Sequence, residues 1–568
     1  MKLQEQSDSI LARRFAELMV RGSSGDKSSI LRSVVVRLIS AVEEGHSCLD
    51  LSCLGGVQGL QDLNLTQIVS ALLDSKVVGT AADSGPYPII VDGSRLYLKR
   101  HFDDECLVAR VLSGMVEPYK SAVLEDVLGV VVSGADASQR QAVEVALRGG
   151  FTVITGGPGT GKTSTVLRVI AARILLAQAL GKPPPRVALA APTGKAAARL
   201  AESVRSSCER GVVSKALATL ILEGLDTRTF TLHRLLGYSK TRGIFLRGPE
   251  NPLEFDLVIL DEASMCSLTL MARLCAALLP GVDFVMLGDK DQLASVEAGA
   301  VLGEICQAGL EPASPLFGRI AELTENHRSA NAEGLVSAAS AIRRADARGL
   351  FEALGDALAW EEDLARFYAC IDELAAEKFE AIAAAASVEE AFKLAERFRI
   401  IAATRVGTLG VDVINRRVKT RLGFSTHSHY RGEPVMATAN DYDLKVFNGD
   451  VGMIWEESPG SDRLAAWFPA DGGALKPFPI ARFSGLVPFY AASVHKSQGS
   501  EFEEVFFVLP PKSAVATREL VYTAVTRARS RVRVWASREA LKEALGKATS
   551  RHSGLGERLR RGRKEDVG

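Results

Sequence analysis

The sequence predicts an α/β protein with two blocks of parallel sheet, a helical region before them, and a small β-barrel inserted in the second block. Three observations predict it. Apolar runs of four to six residues alternate with helical segments in both halves of the chain, as in parallel sheets covered on both faces. A glycine-rich loop directly follows one of these runs. Short β-like runs separated by Gly, Asp and Asn replace helices between residues 425 and 488.

The first block is predicted to span residues 111–330. Its expected strands are the apolar runs at 151–154, 186–191, 255–260 and 282–287. The helical patterns between them make parallel pairing the expected arrangement, since parallel strands need a crossover connection.

The second block is predicted over residues 331–424 and 489–550. It opens with an Ala/Glu-rich helical stretch that reaches about residue 398. Its expected strands lie at 400–403, near residue 490, at 505–509 and at 532–535. The inserted β module, residues 425–488, separates the two parts.

The two ends of the chain carry no recognisable chemistry. Residues 1–110 are predicted to be mostly helical, with a short hairpin over 88–98, and to serve as a packing or docking module. Residues 551–568 are polar, with five basic residues between Arg558 and Lys564, and we expect a disordered tail.

Composition excludes several classes of protein. The 568 residues hold 68 Lys plus Arg against 68 Asp plus Glu, so no global basic field indicates a nucleic-acid partner and any such surface is local. There is no apolar signal segment or membrane-length apolar run, which predicts a cytoplasmic protein without a membrane partner. The eight cysteines form no C-x-x-C pair, so Mg²⁺ accompanying a nucleotide is the only metal expected.

The loop TGGPGTGKT, at residues 155–163, has the spacing G-x-x-x-x-G-K-[ST] of a phosphate-binding loop, or P-loop. Its glycines let successive N–H groups approach phosphate oxygens, and the helix after it adds the positive end of its dipole. Lys162 is expected to contact the β- and γ-phosphates of ATP, and the Thr163 hydroxyl to bind Mg²⁺. The residues predicted to bind nucleotide are Gln139, Gly156, Gly157, Pro158, Gly159, Thr160, Gly161, Lys162, Thr163 and Ser164.

Polar residues at other strand ends complete the expected ATP site. Asp261 and Glu262 follow the strand at 255–260, so Asp261 is expected to hold Mg²⁺ and Glu262 to deprotonate the attacking water. Gln292 follows the next strand and is suited to sensing the γ-phosphate, because an amide both donates and accepts. Gln139, shortly before the loop, could recognise the adenine edge.

Two arginines come from the second block or its border, Arg328 in LTENHRS and Arg527 in LVYTAVTRARS. An arginine presented across a domain cleft can stabilise the charge on a transferred phosphoryl group and make hydrolysis depend on closure. The alternative for each is a salt bridge or another structural partner.

Three short loops combine hydroxyl, cationic and small residues that suit sequence-independent contact with phosphate and sugar. Two of them also carry an imidazole, although a histidine taken alone is more often structural. The residues predicted to contact DNA are Pro192, Thr193, Lys195, Thr231, His233, Arg234, Ser493, His495, Lys496 and Gln498.

These motifs together resemble the superfamily 1 DNA helicases of the 5′-to-3′ class, and within them the RecD family of RecBCD (exodeoxyribonuclease V) subunits. The resemblance covers about 400 residues, from 138 to 537. The motifs that carry it are, in chain order, SQRQAV, GGPGTGKT, APTGKAAARL, TLHRLL, DEASM, GDKDQLASVEAGAVLG, ENHR, ATRVGTLGVDVIN, VFNGDVG, SVHKSQGSEF and LVYTAVTRAR.

The resemblance implies two RecA-like motor domains, an SH3-like inserted module, and ATP-driven movement 5′ to 3′ on single-stranded DNA. It implies a heterotrimer with RecB-like and RecC-like subunits that processes double-strand DNA ends for recombinational repair near the nucleoid. The nuclease would lie on the RecB-like subunit, and the N-terminal region would dock onto the RecC-like one.

Two other interpretations stay open at this point. One is a stand-alone RecD-like helicase, although residues 1–110 lack the glycine hairpin pairs of that family's N-terminal array. The other is a regulatory subunit whose ATP-dependent switch controls a partner nuclease.

Overall fold

The computed structural model describes most of the chain. The described residues are 9–22, 28–54, 60–116, 123–223, 229–327, 333–359, 363–441, 443–470 and 474–561. Within these ranges no helix combines the length and the apolar character that crossing a bilayer requires.

The N-terminal region is mostly helical, as expected, and also contains a four-stranded sheet of which the sequence predicted only the hairpin. Its strands are β1 (Cys48–Asp50), β2 (Val78–Thr80), β3 (Ile89–Asp92) and β4 (Arg95–Leu98), in the order β1-β4-β3-β2. The predicted hairpin over 88–98 is confirmed as the antiparallel pair β3 and β4. Strands of three or four residues are too short for alternation to stand out in the sequence, and burial against the helices stabilises them. The helices of this region are Ile10–Arg21, Ser28–Glu43, Leu65–Asp74 and Lys99–Gly114, with a 3₁₀ turn at Leu51–Leu54.

The first block is a six-stranded parallel sheet in the order β12-β5-β11-β10-β6-β7. All four predicted strands are confirmed, and two further strands extend the sheet at its edges. The strands, with the separate hairpin β8 and β9, are β5 (Phe151–Gly156), β6 (Val187–Ala191), β7 (Thr229–Thr231), β8 (Tyr238–Ser239), β9 (Ile244–Phe245), β10 (Leu257–Leu260), β11 (Asp283–Gly288) and β12 (Ile320–Leu323).

Helices cover both faces of this sheet and bury two apolar clusters against it. The helices are Leu124–Val131, Ala137–Leu147, Lys162–Ala179, Gly194–Glu209, Lys215–Leu222, Leu232–Leu235, Leu268–Ala277 and Val301–Ala308, with a 3₁₀ turn at Ala263–Met265.

The second block is a five-stranded parallel sheet in the order β13-β22-β21-β14-β20. The predicted strands are again confirmed. The strands from here to the end of the chain are β13 (Leu358–Ala359), β14 (Phe398–Ala402), β15 (Pro434–Ala437), β16 (Val451–Glu456), β17 (Leu464–Pro469), β18 (Leu475–Pro479), β19 (Leu486–Pro488), β20 (Ala491–Ser493), β21 (Phe502–Val508) and β22 (Ala528–Trp535).

The predicted helical stretch up to residue 398 is confirmed where it is described, apart from the two-residue strand β13. The helices of the second block are Glu333–Arg343, Ala347–Leu354, Leu364–Leu374, Glu380–Ala383, Val388–Ala395, Val411–Arg421, Val494–Ser497, Arg518–Thr526 and Arg538–Gly546. A 3₁₀ turn lies at Gly355–Ala357 and a π-helical turn at Ala375–Phe379, and the inserted module has a 3₁₀ turn at Ile480–Arg482.

The inserted module is an antiparallel sheet in the order β18-β17-β16-β15-β19. It has its own small apolar cluster, centred on Val435, Ile454 and Phe468. The strand order of the described residues is that of an open sheet, so a closed SH3-like barrel stays a prediction.

The C-terminal tail is partly ordered, which corrects the expectation of a disordered segment from residue 551. A helix, Leu555–Arg561, packs between the helices Lys99–Gly114 and Val301–Ala308. Leu555 and Leu559, 1% and 0% exposed, lie one helical turn apart and provide the apolar contact. The sequence did not indicate this apolar pair, because the many basic residues around it favoured a disordered segment. Residues 562–568 lie outside the described part.

Candidate nucleotide and nucleic-acid site

The phosphate loop connects β5 to the helix Lys162–Ala179, as the sequence predicts. Gly161 precedes the helix with φ +82°, a left-handed conformation that favours glycine. A Cβ at Gly161 would lie 2.2 Å from Nε2 of Gln139, so this glycine also permits a close approach. The hydroxyls of Thr160 and Ser164 donate to the carbonyls of Gly157 and Gly161, at 2.8 Å and 2.7 Å, and stabilise the curl of the loop.

Lys162 lies inside this loop. Its Nζ donates to the carbonyl oxygens of Gly156 and Gly157, at 2.7 Å and 3.1 Å. The ammonium therefore already lies within the loop, where phosphate oxygens would replace the carbonyls as acceptors. Thr163 is the next residue of the helix and is half-buried.

The two predicted carboxylates follow β10 directly. Burial, and next the carboxylate of Glu262, raise the pKa of Asp261 to about 6, whereas the nearby charge of Lys162 opposes the shift. Glu262 has φ +52°, a left-handed conformation that non-glycine residues rarely adopt. Its N–H donates to Oδ1 of Asp261 at 2.8 Å. A strained backbone conformation of this kind persists only where the surrounding structure holds it in place, and such residues are common at functional sites.

The oxygen donors here fit a magnesium ion that arrives with a nucleotide. Mg²⁺ is usually bound by one or two protein oxygens together with phosphate oxygens and water. The Thr163 hydroxyl and the Asp261 carboxylate are hard ligands of this kind, and the charge of Lys162, the residue before Thr163, acts on Asp261.

Gln139 is buried against the loop, and a histidine joins it there. Its amide nitrogen lies 3.3 Å from Nε2 of His327, which lies 2.8 Å from a carboxylate oxygen of Asp136. The backbone N–H of His327 donates to the carbonyl of Gly159 at 2.9 Å, so the segment that ends at His327 lies against the phosphate loop. Arg328, the next residue, lies outside the described part of the chain, and its role stays a prediction.

Gln292 lies at the carboxyl edge of the first sheet, where its amide has a protein partner. Nε2 donates to Oδ2 of Asp289 at 3.0 Å, and Gln292 is buried. The same carboxylate oxygen accepts a hydrogen bond from the hydroxyl of Tyr522, also at 3.0 Å. Tyr522 belongs to the helix Arg518–Thr526 of the second block, so this pair crosses the cleft.

Arg527 is 2% exposed and lies within the second block. Its Nε donates to the carbonyl of Thr523 at 3.2 Å and its Nη1 to the carbonyl of Ser500 at 3.1 Å. These hydrogen bonds connect the end of the helix to the loop before β21. Contact of Arg527 with a nucleotide stays a prediction, and it would require at least one of these bonds to be exchanged.

The first two predicted DNA loops lie together beside the inserted module. Thr193, which follows Pro192, caps the helix Gly194–Glu209 by accepting from the Ala196 N–H at 3.2 Å. A Cβ at Gly194 would lie 3.6 Å from Phe447, 3.9 Å from Asp450 and 4.0 Å from Thr231. The VFNGDVG turn of the module therefore lies over the strand ends of the first block.

Thr231 caps the short helix Leu232–Leu235, which carries His233 and Arg234 on the surface. The ring of His233 packs against Tyr238 and Phe245, with centroids 5.5 Å and 5.7 Å apart. The hairpin of β8 and β9 thus supports the imidazole, and partial burial lowers its pKa.

The third predicted DNA loop caps its own short helix, Val494–Ser497, through Ser493. Lys496 is exposed, and burial lowers the pKa of the half-buried His495, with Arg551 adding to the shift. Gln498 is buried, and its Nε2 donates to the carbonyl of Leu293 across the cleft at 2.9 Å. Its contact with DNA stays a prediction, since the structure gives this amide a protein partner.

Lys195 lies where the first block, the second block and the module meet. Burial, and next the charge of Arg399, lower its pKa to about 8. Glu396 and Asp450 oppose the shift, and Arg199 adds to it. The ammonium is therefore more easily neutralised than an exposed lysine.

Sequence reasoning did not single out Asp289, Tyr522 or His327. Asp289 follows β11 as Asp261 follows β10, so the strand-end pattern could have identified it. His327 directly precedes Arg328, for which a catalytic role was predicted, and no sequence pattern indicated a role for the histidine itself. Tyr522 lies in an apolar run of a helix, and only the packing of the two blocks shows that its hydroxyl crosses the cleft.

Two family models and a solved structure are similar to parts of the chain. The AAA domain model matches residues 139–298, and the UvrD-like helicase C-terminal domain model matches residues 488–535. A crystal structure of Bacteroides Pif1 bound to ssDNA aligns with a TM-score of 0.40 and 16% identity, over 71% of this chain and 93% of that one.

Two curated relatives are more informative. The ATP-dependent RecD2 DNA helicase of Deinococcus radiodurans is 31% identical over 72% of this chain but only 50% of its own length. The RecBCD enzyme subunit RecD of Mycobacterium tuberculosis is 37% identical over 97% of this chain and 94% of its own length. Identity at this level over almost the whole of both chains shows that this chain belongs to the RecD family of RecBCD enzyme subunits.

Proposed function

We infer that the chain is the ATP-dependent DNA helicase subunit of a RecBCD-type enzyme, exodeoxyribonuclease V. One observation carries the mechanism. The phosphate loop and Asp289 of the first sheet both lie against Tyr522 in the helix Arg518–Thr526 of the second block, so the two blocks meet at this loop. An ATP site between two parallel-sheet blocks lets hydrolysis open and close the cleft.

In this proposal ATP is held from the first block by Lys162 and by the N–H groups of the loop, with Gln139 beside the base. Thr163 and Asp261 hold Mg²⁺, which supplies positive charge to the phosphate oxygens. Glu262 orients and deprotonates the attacking water. Arg328 and Arg527 approach from the second block and stabilise the charge on the transferred phosphoryl group.

The DNA strand would lie across the three loops that carry Lys195, His233 and His495. The first two are on the first block and the third is on the second, so a change in cleft width changes their separation. Contacts from hydroxyls, cations and imidazoles to phosphate and sugar are independent of sequence. Alternating grip by the two blocks would move single-stranded DNA, and we propose the 5′-to-3′ direction.

The architecture and assembly proposed for this activity follow the family. The two sheets are RecA-like motor domains over 111–330 and over 331–424 with 489–550, and the module 425–488 is SH3-like. The N-terminal region, 1–110, docks onto a RecC-like subunit, and a RecB-like subunit supplies the nuclease. The heterotrimer acts on double-strand DNA ends in the cytoplasm, at the nucleoid.

The test is unwinding of 5′-tailed and 3′-tailed duplexes by the assembled complex, with Lys162→Gln in this subunit. We expect the variant to lose the ATP hydrolysis and 5′-tail unwinding that depend on this subunit, because the positively charged ammonium that would contact the β- and γ-phosphates is gone. Its melting temperature and its assembly with the partners should be unchanged. Normal 5′-tail unwinding by the variant would refute the role of Lys162, and hydrolysis indifferent to added oligonucleotide would refute the motor.

A stand-alone RecD-like helicase is the second candidate, and the match to the RecD2 helicase supports it. That relative is covered over only half its length, whereas the RecD subunit of M. tuberculosis is covered over 94%. The mass of the native complex distinguishes the two. A purely regulatory ATP switch would show DNA-stimulated hydrolysis without directional movement.

A further inference from the structure

Tyr522 connects the two blocks through a fully enclosed hydrogen bond. Its Oη donates to Oδ2 of Asp289 at 3.0 Å, and both residues are 2% exposed. Burial and the carboxylates of Asp289 and Asp291 raise the pKa of Tyr522 far above its usual value, so the phenol stays protonated and acts as a donor. An enclosed hydrogen bond to a carboxylate is stronger than a neutral exposed one.

The carboxylate that Tyr522 contacts also fixes Gln292. Oδ2 of Asp289 accepts from Nε2 of Gln292 at 3.0 Å, and Oδ1 accepts from the Asp291 N–H at 3.1 Å. Because the phenol and the amide donate to the same oxygen, a shift of Tyr522 changes the position or the strength of the Gln292 contact. A residue of the second block thereby influences a side chain on the nucleotide-facing edge of the first.

Two further hydrogen bonds hold the same segment from the second block. The Leu293 N–H donates to Oγ1 of Thr523 at 2.9 Å, and the Leu293 carbonyl accepts from Nε2 of Gln498 at 2.9 Å. Gln498 follows the loop of Ser493 and His495. The segment Asp289–Leu293 is therefore tied both to the helix of Tyr522 and to a predicted DNA loop.

Tyr522 also lies directly against the phosphate loop. A Cβ added at Gly157 would lie 3.0 Å from its Oη, which is tighter than an ordinary contact. The phenol thus lies within reach of the space that the phosphates of a bound nucleotide would use. One side chain of the second block contacts the loop and the Asp289–Gln292 pair together.

We propose that Tyr522 is a positioning residue that makes ATP turnover depend on the geometry of the cleft, by holding Asp289 and through it Gln292. The inference rests on the proposed function and adds a residue to its ATP site. When the blocks lie at the right separation, the phenol fixes the carboxylate and the amide of Gln292 faces the γ-phosphate. When they move apart, the amide loses this support. DNA that displaces the loop of Gln498 acts on the same segment from its other end.

The test variant is Tyr522→Phe in the assembled complex, which removes one oxygen and keeps the ring. We expect the DNA-stimulated kcat for ATP to fall roughly tenfold, the size of one enclosed hydrogen bond to a charged group, with KM for ATP changed less than about twofold. We also expect more ATP to be consumed per base pair unwound, because hydrolysis no longer follows cleft closure. The measurements are steady-state ATPase with and without single-stranded DNA, and coupled unwinding.

The matched control is Tyr368→Phe. The hydroxyl of Tyr368 donates to the Thr408 carbonyl at 3.2 Å within the same block, in a bond that is exposed rather than enclosed. This variant should keep the wild-type kcat and coupling ratio. If Tyr522→Phe matches it in both, the inference is wrong while DNA-stimulated hydrolysis by the wild type still supports the helicase. A wild type without such hydrolysis refutes the proposed function instead.

A second variant guards against a purely structural effect. Asp289→Asn keeps the size of the side chain but weakens its acceptor, and the double variant with Tyr522→Phe forms a cycle. If the phenol acts through Asp289, the double variant is no slower than the slower single variant. Independent, multiplying losses in kcat, or a KM that rises as much as kcat falls, would overturn the inference.

Discussion

The two parallel sheets have the same architecture and contribute different chemistry to the cleft between them. The first sheet supplies groups on loops at its strand ends, namely Lys162, Asp261 and Glu262, which are half-buried and have few side-chain partners. The second supplies Tyr522 from a packed helix and Arg527 from the end of that helix, each 2% exposed and hydrogen-bonded to protein atoms. These three groups of the first sheet are partly accessible, whereas these two groups of the second block are enclosed by protein.

Because of this difference, replacing a group of the first sheet and replacing a group of the second should affect the stability of the fold differently. Replacing Lys162 removes a charge that the fold does not require, since the loop curl is stabilised by its own hydroxyls and glycines. Replacing a buried side chain of the second block leaves carbonyl or carboxylate groups without their donors. The unsatisfied groups then lower the free energy of unfolding.

The largest expected effect comes from Arg527→Ala. If the guanidinium reaches the phosphoryl group on closure, the DNA-stimulated kcat should fall roughly a thousandfold. The carbonyls of Thr523 and Ser500 also lose their donor, so the free energy of unfolding should fall by about 1–3 kcal/mol. ATPase assays and urea unfolding measure the two effects. Lys162→Gln is the comparison, with loss of hydrolysis alone.

Two outcomes would weaken the contrast between the sheets. A wild-type kcat in Arg527→Ala would show that this residue takes no part in ATP hydrolysis. Unchanged stability would show that its two hydrogen bonds to carbonyls contribute nothing to the fold.

An intermediate effect is expected for Lys195, a first-block residue whose surroundings come from all three parts. Burial, and next the charge of Arg399, lower its pKa to about 8, while Glu396 and Asp450 oppose the shift and Arg199 adds to it. Only the protonated ammonium can pair with phosphate. Affinity for single-stranded DNA should therefore be retained below pH 8 and weaken as the pH rises through about 8.

Binding titrations at several salt concentrations, at pH 7 and pH 9, measure this effect. The slope of log affinity against log salt should become shallower by about 0.7 at the higher pH, the value for one contact to a single strand. Lys195→Met should lack this pH-dependent component. The same pH dependence in Lys195→Met would assign it to another group.

The smallest effect on activity is expected in the C-terminal helix, which packs against helices of the N-terminal region and the first block. Leu559 is 0% exposed between the helices Lys99–Gly114 and Val301–Ala308, so Leu559→Ala should lower the free energy of unfolding by about 2–4 kcal/mol. Leu310, 72% exposed, is the matched control, and Leu310→Ala should change stability by less than about 0.5 kcal/mol. Equal stability of the two variants would show that the packed tail contributes little.

Much of the fold could be predicted because its signals are local. The strands β5, β6, β10 and β11 are apolar runs buried on both faces, and the phosphate loop combines its chemistry with its spacing in nine residues. Asp261 and Glu262 could be placed at a sheet edge because carboxyl ends of parallel strands share one side of the sheet. The short strands β1 and β2 were missed, since three residues show no period.

The sequence by itself determined the two α/β blocks, the phosphate loop and the strand-end carboxylates, because each depends on residues that are close together along the chain. Only the tertiary structure decided that Arg527 is enclosed, that Gln498 bonds to Leu293, that Leu559 packs in the tail, and that Tyr522 reaches Asp289. Tyr522 and Asp289 are 233 residues apart along the chain. A hydrogen bond between such distant residues depends on how whole blocks pack, and no local pattern of side chains encodes that packing.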